Sequence, residues 1–146
     1  CTSVKCNILF VRVIFMQKYK AKKVELDGHT FDSMAEAKHY WFGIKPRLEA
    51  GEIKDLRLQP AFRCEINGKL ICKYLADFQY MDTKEIGPQG QLGCTVVEDV
   101  KGFKTPVYRI KKKLVEAIHL GTKIIEVSPK LYQSKQYNLP SHAIVT

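Results

Sequence analysis

The chain has 146 residues, 45% hydrophobic and 27% charged, a balance that excludes a disordered or fibrous sequence and suits one soluble globular domain. Its 24 Lys and Arg against 15 Asp and Glu leave a net charge of +9, which favours polyanions as partners, nucleic acid ahead of an anionic membrane. The five cysteines, Cys1, Cys6, Cys64, Cys72 and Cys94, have no metal-ligand spacing and leave one over in any pairing scheme. Free thiols in a reducing cytoplasm are the simplest expectation, with Cys64 and Cys72 facing each other across a hairpin.

Residues 8–16 form an apolar run broken by Arg12. The run is far shorter than the roughly 20 residues that span a bilayer, so no membrane partner is expected. Residues 1–16 admit two readings, an extra strand or translated upstream sequence ahead of Met16, with the domain proper at 17–128. Lys18, Lys20, Lys22 and Lys23 then lead into a short strand, and Asp27-Gly28 signals a hairpin. Ser33 with Glu36 three positions on is a capping box that opens a helix. Ala37, Tyr40 or Trp41, Ile44 and Leu48 recur along it at helical spacing, and Gly51 closes it. Pro46 inside this stretch is expected to kink the helix near Lys45.

Strands follow at Ile53–Leu58 and Ala61–Ile66, and Asn67-Gly68 turns the chain into a strand over 70–81. Residues 82–93 read as a loop and 94–101 as the most apolar strand. Thr105 as N-cap with Pro106 behind it opens a second helix, with Val107, Ile110, Leu114 and Ile118 on its inner face and Gly121 past its end. Lys123–Val127 is a final strand, and 129–146 reads as an irregular tail. The order α-β-β-β-α-β predicts an α/β domain, a mixed central sheet flanked by helices.

Asp99 and Lys101 stand two apart in Val96-Val97-Glu98-Asp99-Val100-Lys101, so strand alternation puts both on one face and Glu98 on the other. Asp77 joins them from the strand before. Acids in apolar strands are costly to bury without a metal or a partner. Two carboxylates beside a lysine suit a hard cation, Mg²⁺ or Mn²⁺, with the lysine next to the attacking water, the chemistry of phosphodiester hydrolysis. The capping box by itself explains Glu36. Lys104, Arg109, Lys111, Lys112 and Lys113 are expected on an exposed face where they could track a phosphate backbone, with Lys20 and Lys22 as a second basic segment. His29, His39, His119 and His142 are scattered, which argues against zinc and against a histidine base.

The phrases Gly28-His29-Thr30-Phe31-Asp32-Ser33, Glu49-Ala50-Gly51-Glu52-Ile53, Leu58-Gln59-Pro60, Tyr74-Leu75-Ala76-Asp77-Phe78 and Glu98-Asp99-Val100-Lys101-Gly102 together resemble the PD-(D/E)XK, or restriction-endonuclease-like, nuclease superfamily. The likeness runs from about Tyr19 to Val127 and is closest to a family of small phage and prophage proteins. A looser likeness is to Holliday-junction resolvases and to the endonuclease subunit of cut-and-paste transposons. Ala76 stands where the superfamily's name has proline. The resemblance implies a restriction-endonuclease-like core with Asp77, Asp99 and the Val100 carbonyl as metal ligands, and a further acid, Glu36, from the first helix. It also implies Lys101 at the attacking water, Gln59 near the site, and 5′-phosphate and 3′-hydroxyl products. The function it implies is a Mg²⁺-dependent DNA endonuclease in the cytoplasm of a bacterial host, selective for branched DNA such as Holliday junctions in phage recombination or replication. Cutting a junction symmetrically would call for a homodimer. The alternative is a non-catalytic nucleic-acid-binding protein on the same fold.

Overall fold

The computed structural model describes residues 22–87 and 89–146, so the readings for 1–16 and for Lys18 and Lys20 lie outside the described residues. Strands β1 (Val24–Leu26) and β2 (His29–Phe31) pair antiparallel across Asp27-Gly28. Both turn residues have positive φ, 53° and 76°, as a two-residue hairpin matched to the strand twist requires. Helix α1 (Met34–His39) starts at Ser33, whose hydroxyl accepts from the Glu36 N–H at 3.2 Å. It runs through a π-helical turn (Tyr40–Ile44) into α2 (Lys45–Glu49). Pro46 has no N–H to donate to the carbonyl four residues back and its ring crowds that carbonyl, so the helix widens by one register just before it and then continues. The expected kink is thus absorbed as a π turn.

Strand β3 (Ile53–Leu58) enters the main sheet, while β4 (Ala61–Ile66) and β5 (Lys69–Leu75) form a separate antiparallel hairpin. The main sheet continues with β6 (Phe78–Ile86) and β7 (Leu92–Val100), and is completed by β8 (Lys123–Val127) after helix α3 (Pro106–Ile118). Its order is β3-β6-β7-β8, antiparallel except for the parallel pair β7 and β8, which makes the fold mixed α/β. Two expectations need correction here. The single strand over 70–81 is two strands in different sheets, broken at Ala76-Asp77. The chain leaves the main sheet at Gln59 (φ 50°) and returns at Asp77, and the two crossings are bonded together: the Gln59 N–H donates to the Asp77 carbonyl at 2.9 Å and the Ala76 N–H to the Pro60 carbonyl at 3.1 Å. The loop over 82–93 is shorter than expected, because the β6–β7 hairpin pairs out to Ile86 and Leu92.

The faces of the main sheet carry two apolar clusters. One holds Phe31, Ala37, Tyr40, Ile44, Phe78 and Val100 with α1; the other holds Cys64, Tyr74, Val97, Tyr108, Val115 and Ile124 with α3. The inner face of α3 is also corrected. Tyr108 and Val115 are its buried residues, whereas Val107 and Ile110 are 62% and 60% exposed. Tyr108 wins that position because its ring supplies a large apolar body and its hydroxyl finds a partner, donating to Glu126 Oε1 at 3.1 Å. Residues 129–146 have little regular structure but are tied down: a 3₁₀ turn (Pro129–Tyr132) buries Tyr132, and β9 (Ile144–Val145) pairs with β1. Cys64 and Cys72 are register partners in the β4–β5 hairpin, and both are free thiols. Among the described residues no helix is long and apolar enough to cross a membrane.

Candidate functional site

The site lies where β7 ends and β6 begins. Asp99 is completely buried, and strand alternation aims it with Lys101 towards the α3 side while Glu98 faces α1. Tyr74, the last buried residue of β5, donates its hydroxyl to Asp99 Oδ2. The Lys101 ammonium lies 2.9 Å from Oδ1 as an ion pair, and among the described residues Oδ1 has no partner besides it. Asp99 is therefore a fully buried acid whose charge is offset by a single lysine.

Asp77 sits in the bend between the hairpin and β6, and its Oδ2 accepts from the Val100 N–H at 2.6 Å. Burial, then the charges of Glu36 and Asp99, push its carboxyl up to about 8, against that hydrogen bond. Glu36 reaches the same place from the first turn of α1. It keeps its capping box, Oε1 accepting from the Ser33 hydroxyl at 2.8 Å and Oε2 from the Asp32 N–H at 3.1 Å, while burial raises its pKa. Burial disfavours the charged form of Lys101, but the attraction of Asp99, Asp77 and Glu36 outweighs it and raises the pKa of the ammonium. Gln59 closes the group, its Nε2 donating to Asp32 Oδ2 at 3.1 Å beside the Asp77 backbone.

Glu36, Gln59, Asp77, Asp99, Val100 and Lys101 therefore converge. Of the basic residues expected to bind DNA, Lys111 shares a groove with Lys101, whereas Lys104 and Lys112 turn to another acid. Lys104 and Lys112 both bond Glu126 on β8, Lys112 at 3.2 Å, and together with Tyr108 they hold the Glu126 carboxyl down to about 2. Lys112 is half-buried rather than exposed, as is Lys111, whose ammonium donates to the Lys73 carbonyl at 3.1 Å; Arg109, Lys113 and Lys22 are exposed. Tyr74 was not foreseen, since nothing in its sequence neighbourhood marks a tyrosine that bonds an acid 25 residues on.

Glu98, on the opposite face, belongs to a separate buried network. Its carboxylate only accepts, so His39 Nε2 donates to Oε2 at 2.5 Å, and the Tyr80 hydroxyl donates to Oε1 at 2.6 Å. His39 Nδ1 then accepts from the Tyr132 hydroxyl at 2.7 Å. Gly43 makes room for this, since a Cβ there would stand 3.0 Å from both His39 Nδ1 and the Tyr132 hydroxyl.

Among the described residues no three His, Cys, Asp or Glu side chains stand together at ligating spacing. Asp99 is held by Tyr74 and Lys101, and Glu36 by its cap. The donor set nonetheless fits a hard cation: every candidate ligand atom is an oxygen, and Asp99 Oδ1 has a lone pair unspent. Neither the curated proteins nor the solved structures yield a match to this chain. The model of the family described as Protein of unknown function (DUF1064) matches residues 16–138, every residue of the site included, and the chain belongs to that family.

Proposed function

We propose that this protein is a divalent-metal-dependent DNA endonuclease on a restriction-endonuclease-like core. The observation that carries the reading is Asp99, wholly buried and paired with a charged lysine at a strand end, beside Asp77 and Glu36. Gathering one buried and two half-buried acids is costly, and stability alone gives no reason to keep them. A mixed sheet with α1 on one face and α3 on the other is compatible with such a core.

Asp77 and Asp99 would hold Mg²⁺ or Mn²⁺ with the Val100 carbonyl, and Glu36 would bind the same ion or a water beside it. Such an ion supplies positive charge to the phosphate and acidifies the attacking water. Lys101 orients that water and offsets charge on the phosphate oxygens, its ammonium steadied by the Tyr108 ring 5.6 Å away. Gln59 fixes Asp32 and, through its N–H, the bend that carries Asp77. Tyr74 holds Asp99 by Oδ2 and leaves Oδ1 for the ion. Branched DNA as substrate, a homodimer for paired cuts and the cytoplasm of a bacterial host belong to the same reading.

The test incubates the protein with labelled linear duplex, single strand, splayed arm and four-way junction in Mg²⁺, Mn²⁺ or EDTA, beside Asp99→Ala. Metal-dependent cutting that the variant lacks supports the nuclease. Binding without cutting in either metal refutes it in favour of a non-catalytic nucleic-acid-binding protein.

A further inference from the structure

A groove of about 310 Å³ runs between β5 and the first turns of α3. Tyr74 and Lys101, the two side chains that touch Asp99, line it together with Lys73, Lys111, Leu75 and Val107. No acid lines it, and among the described residues no carboxylate pairs with Lys73 or Lys111, in contrast to Lys104 and Lys112, which share the Glu126 carboxylate. Leu75 and Val107 are both more than 60% exposed, so the walls are apolar between the lysines. Phe103, two residues along the chain from both Lys101 and Thr105, which line the groove, is not itself in the lining and is 79% exposed.

We infer that this groove binds an unpaired DNA strand and delivers it to the carboxylate site, with Lys73 and Lys111 on its phosphates and Phe103 stacked on a base at the rim. The lysines and the lack of acids suit a polyanion. The aromatic decides which kind. In a duplex the base faces are hidden against one another, so an exposed Phe ring gains a stacking partner only where bases are unpaired. The nuclease reading is needed only for choosing DNA over other single-stranded polyanions, and it narrows the substrate to DNA with a single-stranded segment, such as a flap, a splayed arm or an opened junction.

The experiment measures fluorescence anisotropy of a labelled oligothymidylate and of a duplex of equal length, with the full chain, in EDTA and again in Ca²⁺. Phe103→Ser and the pair Lys73→Gln with Lys111→Gln are compared with the wild type. The wild type is expected to prefer the single strand. Phe103→Ser should weaken strand binding roughly ten-fold and leave duplex binding alone, since one stacked base is worth about that much. The double variant should lower the slope of log affinity against log salt by about 1.4, two contacts at roughly 0.7 each for single strands. Phe103 is too exposed for its loss to unfold the chain, and a melting curve for each variant checks this. The inference is overturned by a wild type that prefers duplex, by an unchanged strand affinity in Phe103→Ser, or by tighter binding of oligouridylate. A self-association lost in Phe103→Ser without a change in DNA affinity would assign the groove to a second copy and overturn it too. The two readings fail separately: strand binding that needs Phe103 with no cutting leaves the groove standing, and cutting with strand binding indifferent to Phe103 leaves only the nuclease.

Discussion

Asp77→Asn asks whether this carboxylate serves the fold or a ligand. An aspartate in an unfolded chain titrates near about 3.9, whereas Asp77 in the fold is raised to about 8. Between those values the folded protein holds a proton that the unfolded chain has released, so stability falls as pH rises from about 4 to about 8 and is flat below and above. Four units at about 1.36 kcal/mol each put the ceiling near 5 kcal/mol. Glu36 and Asp99 still repel one another when Asp77 is gone, and Glu36 can carry the shared proton, so roughly half of the ceiling, ~2–3 kcal/mol, is expected on removing one charge. Asn keeps an oxygen to accept the Val100 N–H, so the backbone contact survives. Urea unfolding in EDTA, followed by the single tryptophan, Trp41, measures the effect. At about pH 4 the variant and the wild type should nearly coincide, and at about pH 8.5 the variant should be the more stable by that amount. Mg²⁺ at about a hundred times its dissociation constant should then add roughly 2.7 kcal/mol to the wild type and much less to the variant. A variant less stable than the wild type at the higher pH would make Asp77 a structural carboxylate and refute the reasoning.

Lys101→Met removes the only cation paired with fully buried Asp99 among the described residues and should cost about 3 kcal/mol in EDTA; thermal melts should show Mg²⁺ recovering more stability in this variant than in the wild type. His39→Ala should cost a similar amount, about 3 kcal/mol, because it leaves buried Glu98 with Tyr80 as its remaining close partner. Burial raises the Glu98 carboxyl, but His39 and Tyr80 outweigh it and hold the pKa below the ordinary value, so its contribution is present above about pH 4.3 and fades as the pH falls through the lower folded value. The acid-unfolding midpoint of His39→Ala should accordingly move to higher pH. Lys112→Gln should change DNA affinity less than Lys111→Gln does, by under about two-fold in an anisotropy titration, because Lys112 already pairs with Glu126.

The parts legible in the sequence were those with local causes. Asp27-Gly28 turned the first hairpin, Ser33 with Glu36 and Thr105 with Pro106 started the helices, and alternation put Asp99 and Lys101 on one face and Glu98 on the other. The remainder was set by distant parts of the chain. Apart from Asp77 the run from Tyr74 to Phe78 is apolar, and a single acid there reads as a site residue rather than as the bend at which the chain changes sheets; Gln59 and Pro60 supply the bonds that hold it. Residues 82–86 look like a loop because the end of the β6–β7 hairpin is solvated and carries Lys84 and Glu85, yet the strands meet again at Ile86 and Leu92 after a break in register past Asp82. The lysines of α3 read as one exposed face because Glu126, which draws Lys112 inward, comes 14 residues later on another element. His39 looked unpartnered for the same reason: Glu98 and Tyr132 are 59 and 93 residues away.

The pairing of β9 with β1, and of Tyr132 with His39, also has a bearing on the order of assembly. The first strand described is held by the last, and α1, which carries Glu36, packs on a turn that ends at Tyr132. A growing chain leaves the ribosome at roughly 5–20 residues per second, so β1 and α1 wait exposed for seconds before their partners emerge. Contacts between such distant positions form late, after the loops between them have closed. Glu36 therefore reaches the two aspartates only after residues 129–145 have emerged, and a nascent chain holding Asp77, Asp99 and Lys101 but not yet Tyr132 lacks the support that seats α1.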